Sequence, residues 1–435
     1  MPHEKLGPDE DIRRWQATVT KPFLQPRPRI YSPLEKGSIL SEINTLLSAQ
    51  VIEESKAWIT CNPHLVPKKN GQIRMVIDYR PINEALADFD WPLPRIQDIR
   101  HKIPTGSVYA RYDLRNAFFH LHVPEEIRAL TAFNTPFGKF QYTKMPFGLK
   151  TAPSYFQKYM DWLLLPFDNV VGYIDDILVF ESNYKLLKQT TRKLRQRLAE
   201  EGVSVNMDKS IEYAKELDFV GIRFGPTGLK PTTLILDLDK FDIPITKTDR
   251  QSFLGFANYF RDFIPNFSTL AKPLYEDRRT ELHYRQAFQT ILTCCGNWIR
   301  LSFYDDTKPA ILYTDASNYG TGAVLCQGRH VIAICSKSLN SSQSKYSTTD
   351  RECLALVRAA ESFRLFVQTN QKIIVKTDHR ALLNRRITEL SPLQSRWVTK
   401  LKWLLPSIEY EPGVSNPADY LSRKGGRGGW YGTIF

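Results

Sequence analysis

Two adjacent aspartates, Asp175 and Asp176, interrupt an apolar run that reads Val170-Val171-Gly172-Tyr173 before them and Ile177-Leu178-Val179-Phe180 after them. Segments of this kind form the arms of a β-hairpin and place both carboxylates at its tip. Aspartate is also an ordinary turn residue. Here both arms are apolar enough to be buried, so two like charges at the tip repel unless a cation joins them. Divalent ions bridged by carboxylates from separate strands are what in-line phosphoryl transfer uses. That chemistry calls for another carboxylate from a different strand. The run from Val108 to Tyr112 ends in Asp113 and supplies one, although a strand-terminal aspartate taken alone reads as a helix cap.

A second set of acids lies in the last third of the chain. Asp315 ends the apolar run Ala310–Thr314, and Asp378 ends Ile373–Thr377. Between them Glu352 sits one turn into a helix, and Asp419 follows Asn416-Pro417-Ala418. Each has a bland reading: Thr349 with Glu352 forms a capping box, and Asp419 occupies the first turn of a helix capped by Asn416. Together, four carboxylates in one small αβ block are costly without metal, and two ions could hold water and a phosphate in line.

The elements that must position these acids are partly legible. Leu40, Ile43, Leu46 and Leu47 repeat at helical spacing within 39–50,. Strands flank the basic turn Lys68-Lys69-Asn70-Gly71, where Asn-Gly signals a hairpin that returns through Arg74–Ile77,. Gly225-Pro226-Thr227-Gly228 marks a break. Beyond it Thr248–Gln251 reads as a capping box, opening a helix with Phe253, Ala257, Phe260 and Ile264 on its buried face, ended by Pro265,. In the last block, strands 310–314, 323–326 and 373–377 alternate with a helix carrying Cys353, Leu356, Val357, Ala360 and Phe363 on one face. Lys188, Arg192 and Arg195 form a solvated helix face.

The chain has 435 residues, 42% of them apolar, enough for two or three domains,. Lys and Arg exceed Asp and Glu by 59 to 46, a net charge of +13, which favours a polyanionic partner,. Six cysteines without metal-ligand spacing indicate a reducing compartment,. No apolar run approaches a membrane span, and the N-terminus lacks a signal-peptide core. We expect a soluble protein that is not secreted by that route.

Asp113-Leu114 with Phe118, Met145-Pro146-Phe147-Gly148-Leu149-Lys150-Thr151-Ala152-Pro153 with Phe156-Gln157, and Tyr173-Ile174-Asp175-Asp176 resemble successive motifs of gypsy-type LTR-retrotransposon reverse transcriptases. So do Ile77–Asn83 upstream and Phe253–Arg261 downstream. Asp315, Glu352, Asp378 and Asp419, with Ile408–Gly413 and Ala418–Arg423, resemble the four-acid site of ribonuclease H. The likeness runs from about Pro28 to Arg423. It departs at Phe119-His120, where the family usually has His-Gln, and at Leu130, where a Lys is common.

The resemblance implies an α/β and α+β multidomain chain. An N-terminal arm over 1–30 precedes fingers and palm over 31–230, a thumb with a short linker over 231–300, a ribonuclease H-like domain over 301–424 and a basic tail over 425–435. It implies that Asp113, Asp175 and Asp176 hold two Mg²⁺ ions for polymerisation, and that Asp315, Glu352, Asp378 and Asp419 hold two for RNA cleavage, with Mn²⁺ as a substitute. Lys69 and Arg74 would clamp the triphosphate, Phe118 would exclude a ribose 2′-hydroxyl, and Phe147 and Gly148 would line the nucleotide. Lys209 would protonate departing pyrophosphate. Phe219, Val220 and Gly221 would hold the primer, and Asn258 and Arg261 would meet the duplex backbone. Implied partners are RNA–DNA hybrid and DNA duplex, dNTPs and an RNA primer, with a homodimer forming on substrate and no membrane. The implied location is the cytoplasm, within virus-like particles. No histidine stands between Arg380 and Asp419, so the mobile histidine of some relatives is absent. With neither an Asp-Thr/Ser-Gly protease motif nor a zinc-binding integrase head, the chain reads as a portion of a Gag-Pol polyprotein. A plant pararetrovirus enzyme and a domesticated nucleic-acid-binding relative remain alternatives; the second should have lost acids that are all present here.

Overall fold

The computed structural model describes residues 10–22, 25–67, 73–232, 242–277, 279–296, 298–368, 372–382, 392–401 and 407–422. The chain divides into two compact units: residues 1–99 with 109–214, and residues 100–108 with 215–435.

The first unit is centred on a four-stranded sheet in the order Val170–Tyr173, Asp176–Glu181, Val108–Leu114, Val205–Ala214. The first two strands form the expected acidic hairpin, closed by the pair Tyr173 and Asp176. Helix Ala152–Leu164 covers them with Phe156, Tyr159, Met160 and Leu163, and helix Tyr184–Glu200 adds Leu187, Leu194 and Leu198. Both stripes follow the 3.6-residue period that faces a core. Lys188, Arg192 and Arg195 lie exposed on the opposite face of the second helix, as their spacing predicts. A three-stranded sheet and the hairpin Pro63–Pro67 with Ile73–Ile77 complete the unit; the Asn-Gly turn of that hairpin lies outside the described residues. The arm is strapped down by Trp15, fully buried, whose indole donates to Thr151 Oγ1 at 3.1 Å.

The first predicted helix starts earlier than its apolar spacing suggests, spanning Pro33–Ser48. Ser32 and Glu35 form a reciprocal capping box there. Its buried face is Ile39, Ile43 and Leu46, while Leu40 and Leu47 are exposed. Where apolar residues are adjacent, periodicity alone leaves a rotation of one residue open, and packing settles it.

The second unit contains three helices, Lys247–Tyr259, Phe267–Tyr275 and Glu281–Gly296, around Phe253, Leu254, Ala257, Phe267, Leu274, Phe288 and Ile291. The first opens two residues before the expected cap: Thr246 accepts from the Asp249 amide and Asp249 reaches back to Thr246. Aspartate at the third position performs the role assigned to Gln251. The helix ends at Tyr259, and a 3-10 turn, Arg261–Phe263, carries the chain to Ile264 and Pro265.

A five-stranded sheet follows, ordered His330–Ser338, Gly320–Gln327, Ala310–Ala316, Ile373–Thr377, Ile408–Tyr410. Its first three strands are antiparallel and the last two join in parallel. The predicted 310–314 and 323–326 are cores of longer strands. Strands 330–338 and 408–410 were not foreseen: the first lies in a nearly continuous apolar stretch without alternation, and the second has only three residues. Helix Thr348–Ser362 buries Cys353, Leu356, Val357 and Ala360 against the sheet. Among the described residues, no helix is long and apolar enough to cross a membrane.

Candidate functional site

The acidic hairpin tip is held in a conformation its sequence would not choose. Ile174 has φ 53°, a left-handed geometry that a β-branched residue adopts only under constraint,. The constraint is Gln157, fully buried on the neighbouring helix. Its carbonyl accepts the Ile174 amide at 2.9 Å, and its amide donates to Gly172 O at 3.1 Å and Asp161 Oδ1 at 2.8 Å. Trp91 closes the chain by donating to Asp161 at 2.6 Å. Sequence reasoning treated Gln157 as a motif letter; an amide set in an apolar stripe was the available signal.

The tip is pinned to the strand that carries Asp113, because the Leu114 amide donates to Asp175 O at 3.0 Å. Asp113, Asp175 and Asp176 thus lie at one sheet end, near enough to act on one another's charge, although their oxygens do not converge within 4.8 Å. Burial first, then repulsion from Asp175, raises Asp176 to about 6, and Asp175 is raised by burial and by Asp113. Lys209 opposes the repulsion, its Nζ 3.9 Å from Asp113 Oδ1.

The expected nucleotide residues gather beside these acids. Phe118, on the 3-10 turn Ala117–His120, is half-buried and meets Phe147 edge-on at 4.9 Å and Phe156 at 5.3 Å. Gly148 has φ +98° and is exposed. Asn83 clips its loop from both sides, donating to Gly148 O and accepting from the Lys150 amide, each at 2.8 Å. Arg74 stands opposite Val66 on its hairpin, and Lys69 lies outside the described residues.

Val220 and Gly221, at φ 45° and 76°, form the two-residue turn between Leu217–Phe219 and Ile222–Gly225. Two consecutive positive φ values give a turn that matches strand twist. Tyr259 donates to Val220 O at 2.6 Å. Phe219 is buried, so its ring packs beneath the turn rather than outside it. Asn258 donates to Tyr275 Oη at 2.6 Å, and Arg261 lies over the Phe267 ring.

In the five-stranded sheet, Asp315 and Asp378 end adjacent parallel strands, and Glu352 rises toward them from the covering helix. Ligand oxygens of Asp315, Glu352 and Asp378 all lie within 4.8 Å of one another. Glu352 is not the capping residue it resembled. Ser347 caps that helix by accepting from the Asp350 amide, which leaves Glu352 to reach the Ala316 amide at 3.1 Å. Glu352 Oε2 is buried without a hydrogen-bond partner. Burial, with Asp315 and Asp378 adding to it, raises Glu352 to about 9. Asn416 donates to Thr314 O and accepts the Ala418 amide, fixing the short helix Ala418–Ser422. Asp419 is in its first turn as expected, though outside the group of three, and Ser422 donates to Asp315 Oδ2.

A buried cluster of hard oxygen donors, one of them unpartnered, fits a divalent cation. Comparison with known proteins agrees. Residues 66–224 match the model for the reverse transcriptase (RNA-dependent DNA polymerase) family, and residues 305–403 match that for the RNase H-like domain found in reverse transcriptase. The chain joins a reverse transcriptase domain to an RNase H-like domain and is homologous to LTR-retrotransposon polyproteins over 90% of its length.

Among similar proteins, the Tf2-3 transposon polyprotein of Schizosaccharomyces pombe is 31% identical over 413 residues, covering 90% of this chain and 31% of the polyprotein. The Pol polyprotein from transposon 297 of Drosophila melanogaster is 32% identical over 400 residues, covering 88% of this chain and 38% of its own length. The chain therefore spans about a third of the length of these relatives. A foamy viral protease-reverse transcriptase in complex with double-stranded DNA shares its fold, with TM-score 0.74 at 24% identity over 91% of this chain and 72% of that one. The same viral protein in complex with RNA/DNA hybrid gives 0.69, covering 56% of that chain.

Proposed function

We propose that this reverse transcriptase extends a primer with dNTPs on RNA and DNA templates and cleaves the RNA strand of RNA–DNA hybrids, in the replication of an LTR retrotransposon. The observation that supports it best is the presence of two separate carboxylate clusters, one in each matched domain. Asp113, Asp175 and Asp176 would hold Mg²⁺ at the polymerase site; Asp315, Glu352 and Asp378, with Asp419, would hold it at the other. When bound, the ions neutralise phosphate charge and acidify the attacking hydroxyl or water.

The protein's own residues position the rest. In polymerisation the primer 3′-hydroxyl displaces pyrophosphate from the α-phosphorus, and Lys209 would give the leaving group a proton. Phe118 closes the space a ribose 2′-hydroxyl would need, and Gly148 lets the backbone approach the nucleotide. Lys69 and Arg74 would take the triphosphate. Val220 and Gly221 would hold the primer over Phe219, and Asn258 and Arg261 would meet the duplex. The domain limits given above, an RNA primer, Mn²⁺ as a substitute ion and a cytoplasmic, particle-borne location complete the reading.

The two foamy viral complexes hold double-stranded DNA and RNA/DNA hybrid, and the charge of +13 suits both ligands,. That charge also opposes pairing of free chains and is neutralised on nucleic acid, so a homodimer should form only on substrate. Sedimentation with and without hybrid tests this; a salt-stable dimer of free protein contradicts it. The function itself is tested by primer extension on RNA and DNA templates beside hybrid cleavage, each with Mg²⁺ and with EDTA. Both activities should require the ion, and absence of both overturns the reading.

A further inference from the structure

The turn proposed to hold the primer is built into the same sheet as the strand that leads to the ribonuclease domain. Strands Leu217–Phe219, Ile222–Gly225, Gly228–Pro231 and Leu301–Ser302 form one four-stranded antiparallel sheet. The last pairing joins Gly228 to Ser302 and Leu229 to Leu301, across more than seventy residues of sequence. Leu229 and Leu301 are both buried.

Gly228 is what permits this join. Its φ is +151°, and a Cβ there would stand 2.2 Å from Leu301 O and 2.9 Å from Ser302 Cα. Both neighbours are backbone, so no side-chain rotation could make room. Any side chain at 228 must part the two strands.

Five further hydrogen bonds brace the same connection. The Ile299 amide donates to Phe263 O at 3.4 Å, and Arg300 donates to Thr227 Oγ1 at 3.3 Å, on the turn next to Gly228. The helix Phe267–Tyr275 also lies against strand His330–Ser338: the Ser268 amide donates to Ser336 Oγ at 3.2 Å, and Ser338 donates to Ser268 O at 2.9 Å. Tyr259, from the helix before it, ties back to Val220 in the primer turn. The primer turn, the three-helix block and the ribonuclease sheet are therefore linked by backbone pairing and hydrogen bonds, beside the short irregular stretch 303–309 that joins the two sheets in sequence.

We propose that Gly228 is a positioning residue whose strand join fixes where RNA is cut relative to the primer 3′ end. This rests on the function proposed above. A rigid connection gives one distance from primer turn to cleaving acids, hence one dominant cut; a parted connection gives a spread of distances.

The test uses the full chain, Mg²⁺ and a labelled RNA template with a recessed DNA primer, mapping cuts from the primer 3′ end. A continuous hybrid without an accessible 3′ end measures cleavage rate alone. Wild type should cut mainly at one distance from the primer terminus. In Gly228→Val the share of cuts at that distance should fall by about twofold or more, with cleavage of the continuous hybrid unchanged. As a control for misfolding of Gly228→Val, the double variant Ser336→Ala, Ser338→Ala provides a milder loosening that leaves the sheet join intact; it should broaden the cuts in the same direction. The proposal is overturned if folded variants keep the wild-type cut pattern, or if wild type cleaves hybrid with no relation to the primer end. If wild type does not cleave hybrid at all, the function assigned to the domain falls, and this inference with it.

Discussion

The two acid clusters of this chain manage the same electrostatic problem in opposite ways. At the hairpin tip, Asp113 and Asp176 are half-buried and Asp175 is exposed, and Lys209 stands 3.9 Å from Asp113 as an internal counter-charge. Burial and the neighbouring Asp175 raise Asp176 only to about 6, so near neutral pH it is largely ionised. In the five-stranded sheet, Asp315 and Glu352 are each 3% exposed, and Glu352 Oε2 is buried without a hydrogen-bond partner. There the proton on Glu352, held to about pH 9, takes the place of a cation. One site is kept ready by a lysine that a substrate can displace; the other is kept ready by a proton that an incoming divalent ion must expel.

The largest effect that sharpens this contrast is on stability. Unfolded, Glu352 loses its proton near the ordinary 4.5; folded, it keeps it to about 9. The unfolded state therefore binds fewer protons across that window. In metal-free buffer the second unit should lose stability as pH rises from 4.5 to 9, by up to several kcal/mol, and level off above. Glu352→Gln should flatten the curve, measured by urea unfolding at successive pH values; an unchanged slope means that Glu352 is not the group holding the proton. Added Mg²⁺ should bind this site more tightly at pH 8 than at pH 6, whereas the metal requirement for primer extension should level off above about pH 7. Parallel metal dependences for both activities would erase the contrast.

A smaller effect tests whether the two sites are insulated. Phe118→Val should raise ribonucleotide incorporation relative to dNTP by about 10²-fold and leave hybrid cleavage untouched. Equal loss of both nucleotide classes with a lowered melting temperature would instead make Phe118 a packing residue, as its edge contacts with Phe147 and Phe156 would allow. Smallest is Lys209→Ala: extension kcat should fall about tenfold with little change in dNTP KM, the mark of a proton donor rather than a binding group. A pure KM effect would assign Lys209 to binding alone.

How much of this was legible follows from what each residue answers to. The hairpin tip was, because two apolar arms around paired acids admit few other folds. The ends of strands 310–316 and 373–377 were, because each apolar run stops at its aspartate. The cap of the helix bearing Glu352 was not, since Ser347 and Thr349 both offer an acid three residues on and only tertiary packing chooses Ser347 with Asp350. The same ambiguity moved the cap at Thr246. Gln157, Asn83 and Ser422 were illegible as positioning groups because their partners are backbone atoms and a carboxylate distant in sequence, which no local pattern encodes. Phe219 carries no sign in its sequence of facing inward.

The central claim is that the chain carries two carboxylate sites doing separate chemistry, and one crossed experiment tests it most directly. Asp175→Asn and Asp378→Asn are each assayed for primer extension and for hybrid cleavage, with folding checked by circular dichroism. Asp175→Asn should abolish extension and spare cleavage, and Asp378→Asn should do the reverse. Loss of both activities together in either folded variant, or extension near wild type in Asp175→Asn, contradicts the account.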